Sequence, residues 1–369
     1  MQKIKIELKA LTGLRFVAAF LVFIFHVNMR TKMLFLPWPV YNIVSHGALG
    51  VTVFFVLSGF LLTYSHLKDF PNAQIQTPKY ILVFFCKRLA RIYPVYLAGL
   101  FVFASLISLE GTTTPTAPLT MVADLTMTEA VFPAISMSWY GSGGWSVSSE
   151  IFFYLFFPFL LPLLLRISRQ PILWILLTVV ILAGTFGGFA YRLWPAYVSY
   201  SLMYNHPLFR CSEFIAGMIS GLLVFRFQWR TTEWQALVMV GIAGTYIAGA
   251  GPRLLGFVAH NWLIVPAIIC LLAALVDIDK TKFLRLLTHP VAEYAGRISY
   301  CFYLAQLPFF MIQDIRLGKN LPLFWWYGFA TFLATTLVAI LLHHVVEVPS
   351  HKWLMSKLNK RNTLIVRQP

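Results

Sequence analysis

Residues 145–165 read WSVSSEIFFYLFFPFLLPLLL, a stretch of 21 residues whose single charge is Glu150. A helix needs about 20 apolar residues, each rising 1.5 Å, to cross the hydrocarbon of a bilayer. A helix apolar on every side belongs either in the core of a large protein or in lipid. The rest of the chain decides for lipid. Of its 369 residues 59% are hydrophobic and only 11% are charged, under half of the roughly 25% usual in soluble domains, with a mean hydropathy of +0.74.

Outward from this run, further apolar stretches of spanning length stand at 10–29, 47–66, 92–109, 171–190, 205–225, 234–251, 256–276, 298–313 and 323–345. The expected fold is all-α, a polytopic membrane helix bundle of about ten transmembrane helices. One transmembrane domain spans 1–369, with an outer loop at 110–144 and a short cytoplasmic tail at 350–369. No internal repeat and no soluble second domain is visible. The Lys-rich start resembles a signal peptide, but Arg15 interrupts the first run and no small-residue cleavage site follows, so a retained helix is expected.

A net charge of +16 could suggest nucleic acid, but alternation of the Lys and Arg residues between the two faces explains it. If the N-terminus is cytoplasmic, the inner segments hold Lys3, Lys5 and Lys9, then Lys68, Lys79, Lys87, Arg88 and Arg91, then Arg166 and Arg169. Arg226, Arg230, Lys280, Lys282 and Arg285 follow, and Lys352, Lys357, Lys360, Arg361 and Arg367 close the tail. The outer face has only Arg30, Lys32, Arg192, Arg253, Arg316 and Lys319. Both termini are therefore expected in the cytoplasm. Arg15, Arg210 and Arg297 fall within or beside apolar runs, where a charge needs a reason. Cys86, Cys211, Cys270 and Cys301 show no paired spacing, so neither a disulfide framework nor a metal site is expected.

The polar residues inside the runs carry the chemistry. Arg15 and His26 are eleven positions apart, which places them within roughly 20° on one helix face and about 16 Å apart along its axis. Either alone reads as a snorkelling arginine or a satisfied interfacial histidine; together they suggest a pathway. Glu150, at the start of an inward-running helix, is expected at the depth of His26, where a carboxylate would orient an imidazole acting as a base. The plainer alternative is a carboxylate in a first turn capped by Ser146. Arg88 and Arg91, at i and i+3 beside Lys87, can form an anion clamp or simply mark the cytoplasmic face. Ser58 and Gly59 interrupt the aromatic stretch Phe54–Phe60, allowing close helix contact or room for a thin chain. Arg210 and Glu213, an i, i+3 pair near His206, read first as mutual neutralisation and second as acceptor contacts. Tyr140 and Trp145, near Trp139 at the outer face, could stack on a sugar or anchor the interface.

Taken together these residues resemble the acyltransferase 3 group of membrane O-acyltransferases. The likeness rests on Leu11-Thr12-Gly13-Leu14-Arg15 with ten residues to His26, on Gly50-Val51 before Phe54-Phe55 and Leu57-Ser58-Gly59-Phe60, and on Arg88-Leu89-Ala90-Arg91 with Pro94. It continues with Trp145-Ser146-Val147 and Glu150, Arg297-Ile298-Ser299-Tyr300 with Tyr303-Leu304, and Glu347 with Pro349. Such sequences typically continue after Tyr303-Leu304 with an aromatic, a His and a Pro; here Ala305-Gln306-Leu307-Pro308 stands, and Gln306 is assigned no catalytic role.

The resemblance implies transfer of an acyl group, by preference acetyl, from an acyl-CoA donor (acetyl-CoA) to a hydroxyl of a carbohydrate or lipid-linked glycan of the cell envelope. It implies a multi-pass protein of a bacterial inner membrane, partnered by the lipid bilayer and by neither nucleic acid nor metal. His26 would act as general base or transient acyl carrier, with Glu150 and Arg15 assisting. Arg88, Arg91, Arg15 and Ser58 would hold the donor, and Trp145, Tyr140 and Arg210 the acceptor. A secondary transporter is the alternative, which an inverted repeat would favour. Nothing in the sequence specifies an oligomeric state.

Overall fold

A computed structural model of the chain describes residues 9–33, 35–67, 77–109, 117–136, 144–250, 257–317 and 325–366. Its helices are α1 (Lys9–Thr31), α2 (Trp38–Ser45), α3 (Gly50–His66), α4 (Pro78–Leu109), α5 (Ala117–Leu125), α6 (Gly144–Leu165) and α7 (Gln170–Leu193). They continue as α8 (Tyr200–Asn205), α9 (Pro207–Phe225), α10 (Glu233–Ala250), α11 (Asn261–Val276), α12 (Pro290–Leu317), α13 (Trp325–Leu342) and α14 (Val348–Val366). No strand occurs among the described residues. Lipid offers backbone groups no hydrogen-bonding partner, so each helix satisfies its own.

Among the described residues seven helical stretches are long and apolar enough to cross a membrane: Lys9–Thr31, Gly47–His66, Gly144–Leu165, Gln170–Leu193, Tyr200–Phe225, Val258–Val276 and Tyr327–Leu358. The other three expected runs, at 92–109, 234–251 and 298–313, fall on α4, α10 and α12. Charge dilutes two of these helices: α4 carries Lys79, Lys87, Arg88 and Arg91, and α12 carries Glu293 and Arg297. The 110–144 segment is more than a loop, since α5 and a short turn at Glu129–Val131 lie within it. Tyr93 and Tyr96 of α4 fasten this segment by donating to the carbonyls of Leu125 and Asp124, at 3.0 and 2.9 Å.

Helices α3 and α9 cross closely. A Cβ on Gly59 would strike the carbonyl of Phe214, and one on Gly217 would strike that of Val56. Two glycines thus face each other's backbone, and the small-residue reading of 58–59 holds at Gly59. Helix α1 packs chiefly on α12 and α3, while α6 packs on α9 and α4. An aromatic seam of Phe16 and Phe23 (α1) with Phe302 and Phe310 (α12) and Phe332 (α13) closes the first contact. Leu155, Phe156, Phe159 and Leu163 of α6 stay exposed along one side, a stripe suited to lipid.

Between α13 and α14 the helix widens to a π segment, His343–Glu347. The Glu347 carboxylate pairs with His343 Nδ1 at 2.7 Å and accepts from the Cys301 thiol of α12 at 3.2 Å. Glu347 therefore ties the end of the bundle back to α12. The ligand atoms of these three residues lie within 4.8 Å of one another, a grouping that their sequence spacing did not reveal.

Candidate active site

Two adjoining cavities open between α1, α3, α4 and α6, and α12 borders the first of them. Both are lined by Arg15, Ser58, Arg88, Arg91 and Tyr154. The first adds Phe54, Ser146, Glu150, Tyr300 and Tyr303; the second adds Thr12, Tyr64 and Ser65. The second thus lies toward the start of α1 and the end of α3, and the first continues toward Ser146 and Tyr303.

Glu150 is the acidic side chain of this lining. Its Oε1 accepts from Ser58 Oγ at 3.0 Å and from the Tyr154 hydroxyl one turn along α6. Arg15 and Arg88 both feel its charge. Three guanidinium groups, Arg15, Arg88 and Arg91, thus share the cavity with one carboxylate. Arg88 lies against the rings of Phe84 and Tyr154, at 5.5 and 5.9 Å, and its Nε is buried without a hydrogen-bond partner. An unpaired guanidinium donor in a cationic cavity suits a polyanionic ligand, because Arg presents its donors in a fixed fork that matches phosphate oxygens.

His26 borders neither cavity. The imidazole is 8% exposed and packs 5.7 Å from the ring of Phe310, with Gln306 and Arg30 as the polar groups facing it. Its Nδ1 has no partner. The expected pairing of His26 with Glu150 is replaced: α1 packs on α12 and α3 rather than on α6, so a similar depth does not bring the two side chains together. The link from the first cavity toward His26 runs along α12. Tyr303 meets Ser146 Oγ through its hydroxyl at 2.7 Å, while its backbone carbonyl accepts from Gln306 Nε2 at 3.1 Å.

Arg210 and Trp145 lie inside a closed box. Arg210, 1% exposed, pairs with Glu213 at 2.9 Å and donates to Thr52 and to the Tyr204 carbonyl. The rings of Phe55, Trp145 and Tyr204 stand 5.2 to 5.4 Å from its guanidinium, and Asn261 completes the Glu213 shell at 2.7 Å. Neither Arg210 nor Trp145 borders either of these two cavities; Arg210 is held by Glu213, and the Trp145 ring lies against its guanidinium. Tyr140 lies outside the described residues.

Sequence reasoning missed Tyr154, although its position four residues after Glu150 was a usable signal. It also missed the contact between Ser146 and Tyr303, which only the fold creates. Beside the Ser148 end of α6, burial pushes the Asp124 carboxyl up to about 7 and the Glu129 carboxyl up to about 8. Nothing in their sequence context announces that burial.

The family described as "Acyltransferase domain" matches residues 8–344. The acyltransferase MdmB of Streptomyces mycarofaciens is 27% identical, over 93% of this chain and 92% of its own. Proteins named "Putative O-acetyltransferase" from Staphylococcus aureus strains MRSA252 and COL are each 25% identical over 96% of this chain; the match spans 59% of their length. No solved structure matches.

Proposed function

Because the chain belongs to this acyltransferase family, we propose that it moves an acyl group, by preference acetyl, from acyl-CoA to a hydroxyl of a cell-envelope carbohydrate. The observation that carries the proposal is the cationic cavity, in which Arg15, Arg88 and Arg91 meet around Glu150 and Arg88 Nε is left without a partner. The nucleotide end of CoA carries several phosphate charges, and its pantetheine arm is thin enough to follow an apolar passage. The sequence assigns twenty of the Lys and Arg residues to the segments on the side of the α1 start, which supports reading that side as cytoplasmic, where acyl-CoA is supplied.

In this mechanism the phosphates rest on Arg88 and Arg91, and the arm extends past Ser58 toward Tyr303. Glu150 holds the cationic groups apart and keeps Arg15 directed at the donor. His26 takes the proton of the acceptor hydroxyl as its oxygen forms a bond to the thioester carbonyl carbon; the C–S bond breaks, and the thiolate leaves with the proton returned by the imidazole. A transient acyl-imidazole on His26 uses the same groups. The relatives' names point to acetyl and to oxygen as the receiving atom.

The test is turnover of radiolabelled acetyl-CoA by protein purified into liposomes, with a cell-envelope glycan extract as acceptor, comparing wild type with His26→Ala. Label transfer or thioester hydrolysis that vanishes in the variant supports the proposal. Equal turnover in both removes His26 from the chemistry. Solute uptake with no thioester consumed would instead indicate a transporter.

A further inference from the structure

Phe302, Gln306 and Phe310 recur every four residues on α12 and so share one helix face. Phe302 and Phe310 lie 5.5 and 5.6 Å from Phe23 of α1, and Phe310 lies 5.7 Å from His26. Gln306, between them, is therefore set into the same aromatic contact, fully buried and facing the imidazole. A primary amide in such a place is costly unless its atoms are used.

One end of that amide is used. Gln306 Nε2 donates to the Tyr303 carbonyl at 3.1 Å. A carbonyl can only accept, so this contact fixes which end of the amide is nitrogen. The oxygen, Oε1, has no partner, and neither has His26 Nδ1. Arg30, the other polar group facing the ring, is a donor only; it bonds the His26 carbonyl at 3.2 Å and lies over Phe310. Of these two polar side chains, Gln306 alone can accept a proton from the imidazole.

We propose that Gln306 is a positioning residue for His26: its Oε1 accepts the Nδ1 proton, so that Nε2 carries the lone pair that receives the acceptor's proton. A small side-chain adjustment closes the bond, and both buried orphans are satisfied by it. When Nε2 takes up the proton, the bond from Nδ1 to Oε1 becomes charge-assisted and steadies the imidazolium until the proton leaves with the thiolate. The inference rests on the reading of His26 as base.

The test uses the full-length protein in liposomes with acetyl-CoA as donor and glucose or water as the receiving hydroxyl, comparing Gln306→Leu, Gln306→Glu and His26→Ala. Gln306→Leu, close in volume but without an acceptor, is expected to lose roughly 10–100-fold in kcat, with KM for acetyl-CoA within about twofold. Gln306→Glu, which restores an acceptor, is expected to recover most of the loss. Should Gln306→Leu fail to fold, 15N spectra of imidazole-labelled wild type and Gln306→Glu, with the His26 signal assigned by its loss in His26→Ala, are expected to show the proton on Nδ1 in both. A wild-type kcat in Gln306→Leu, or a His26 signal with the proton on Nε2, overturns the proposal while leaving the base intact. Full activity in His26→Ala overturns the base itself.

Discussion

Ser58 of α3 donates its hydroxyl proton to Glu150 of α6 at 3.0 Å, one turn from the ring contacts that Phe55 of α3 makes with Trp145 and Phe153 of α6. This bond holds the acidic centre of the cavity between Arg15 and Arg88, and it sets the depth at which the positive charge is balanced.

Removing it should be measurable. A hydrogen bond to a charged group is worth about 1.5–3 kcal/mol, so Ser58→Ala should lower the unfolding free energy by that order. Glu150→Ala leaves the half-buried Arg15 and Arg88 without the carboxylate and should cost at least as much as Ser58→Ala. Denaturation in detergent micelles orders the two; a Glu150→Ala protein as stable as wild type would contradict the role given to the carboxylate.

Donor affinity should depend on guanidinium geometry as well as on charge. Arg88→Lys and Arg91→Ala are each expected to raise KM for acetyl-CoA roughly tenfold with kcat changed little, since a lysine is a point charge without the planar fork. Raising salt should weaken donor binding in wild type and do so less in Arg91→Ala, read from KM at several ionic strengths. A KM unmoved in both variants would place the phosphates elsewhere.

The α3–α9 crossing should tolerate no added side chain. Gly59→Val drives a branched side chain into the Phe214 carbonyl and is expected to cost about 1–3 kcal/mol or to block folding. Gly241→Ala on α10, where a Cβ would meet nothing within 4 Å, serves as control and should be neutral or slightly stabilising. Thermal melts of both proteins in micelles check the contrast.

The 117–136 segment should weaken as pH rises. Asp124 and Glu129 are raised by burial from 3.8 and 4.5 to about 7 and about 8, so the folded segment binds more protons than the unfolded one between about pH 4 and pH 8. Its stability is then greatest near and below pH 4 and is lost progressively up to about pH 8. Hydrogen exchange of 117–136, corrected for the intrinsic pH dependence, is expected to show falling protection across that window. The double change Asp124→Asn, Glu129→Gln should flatten it; a wild-type segment equally protected at pH 5 and pH 8 would contradict the burial.

The chain's class was legible because many runs such as 145–165, in a chain only 11% charged, leave lipid as the place for them, and the few charges inside such runs stand out. Arg15 and Glu150 were picked out in this way, Arg88 and Arg91 as a cationic pair and Ser58 by the aromatic stretch it interrupts, and all five line one cavity. The chemistry of the separate motifs was readable; their partners were not. Glu150 was expected beside His26 and instead meets Ser58 and Tyr154. His26 was expected beside a carboxylate and instead faces an amide on α12. Arg210 read first as neutralised by Glu213, and the two are paired inside an aromatic box that the sequence did not announce.

The sequence by itself determined membrane residence and position along each helix, because hydropathy and a rise of 1.5 Å per residue are local quantities. The tertiary structure alone decided which helices are neighbours, and so which side chains meet. That choice rests on contacts between residues far apart in the chain, such as Gly59 on Phe214 and Phe23 on Phe310, whose steric fit no local pattern encodes.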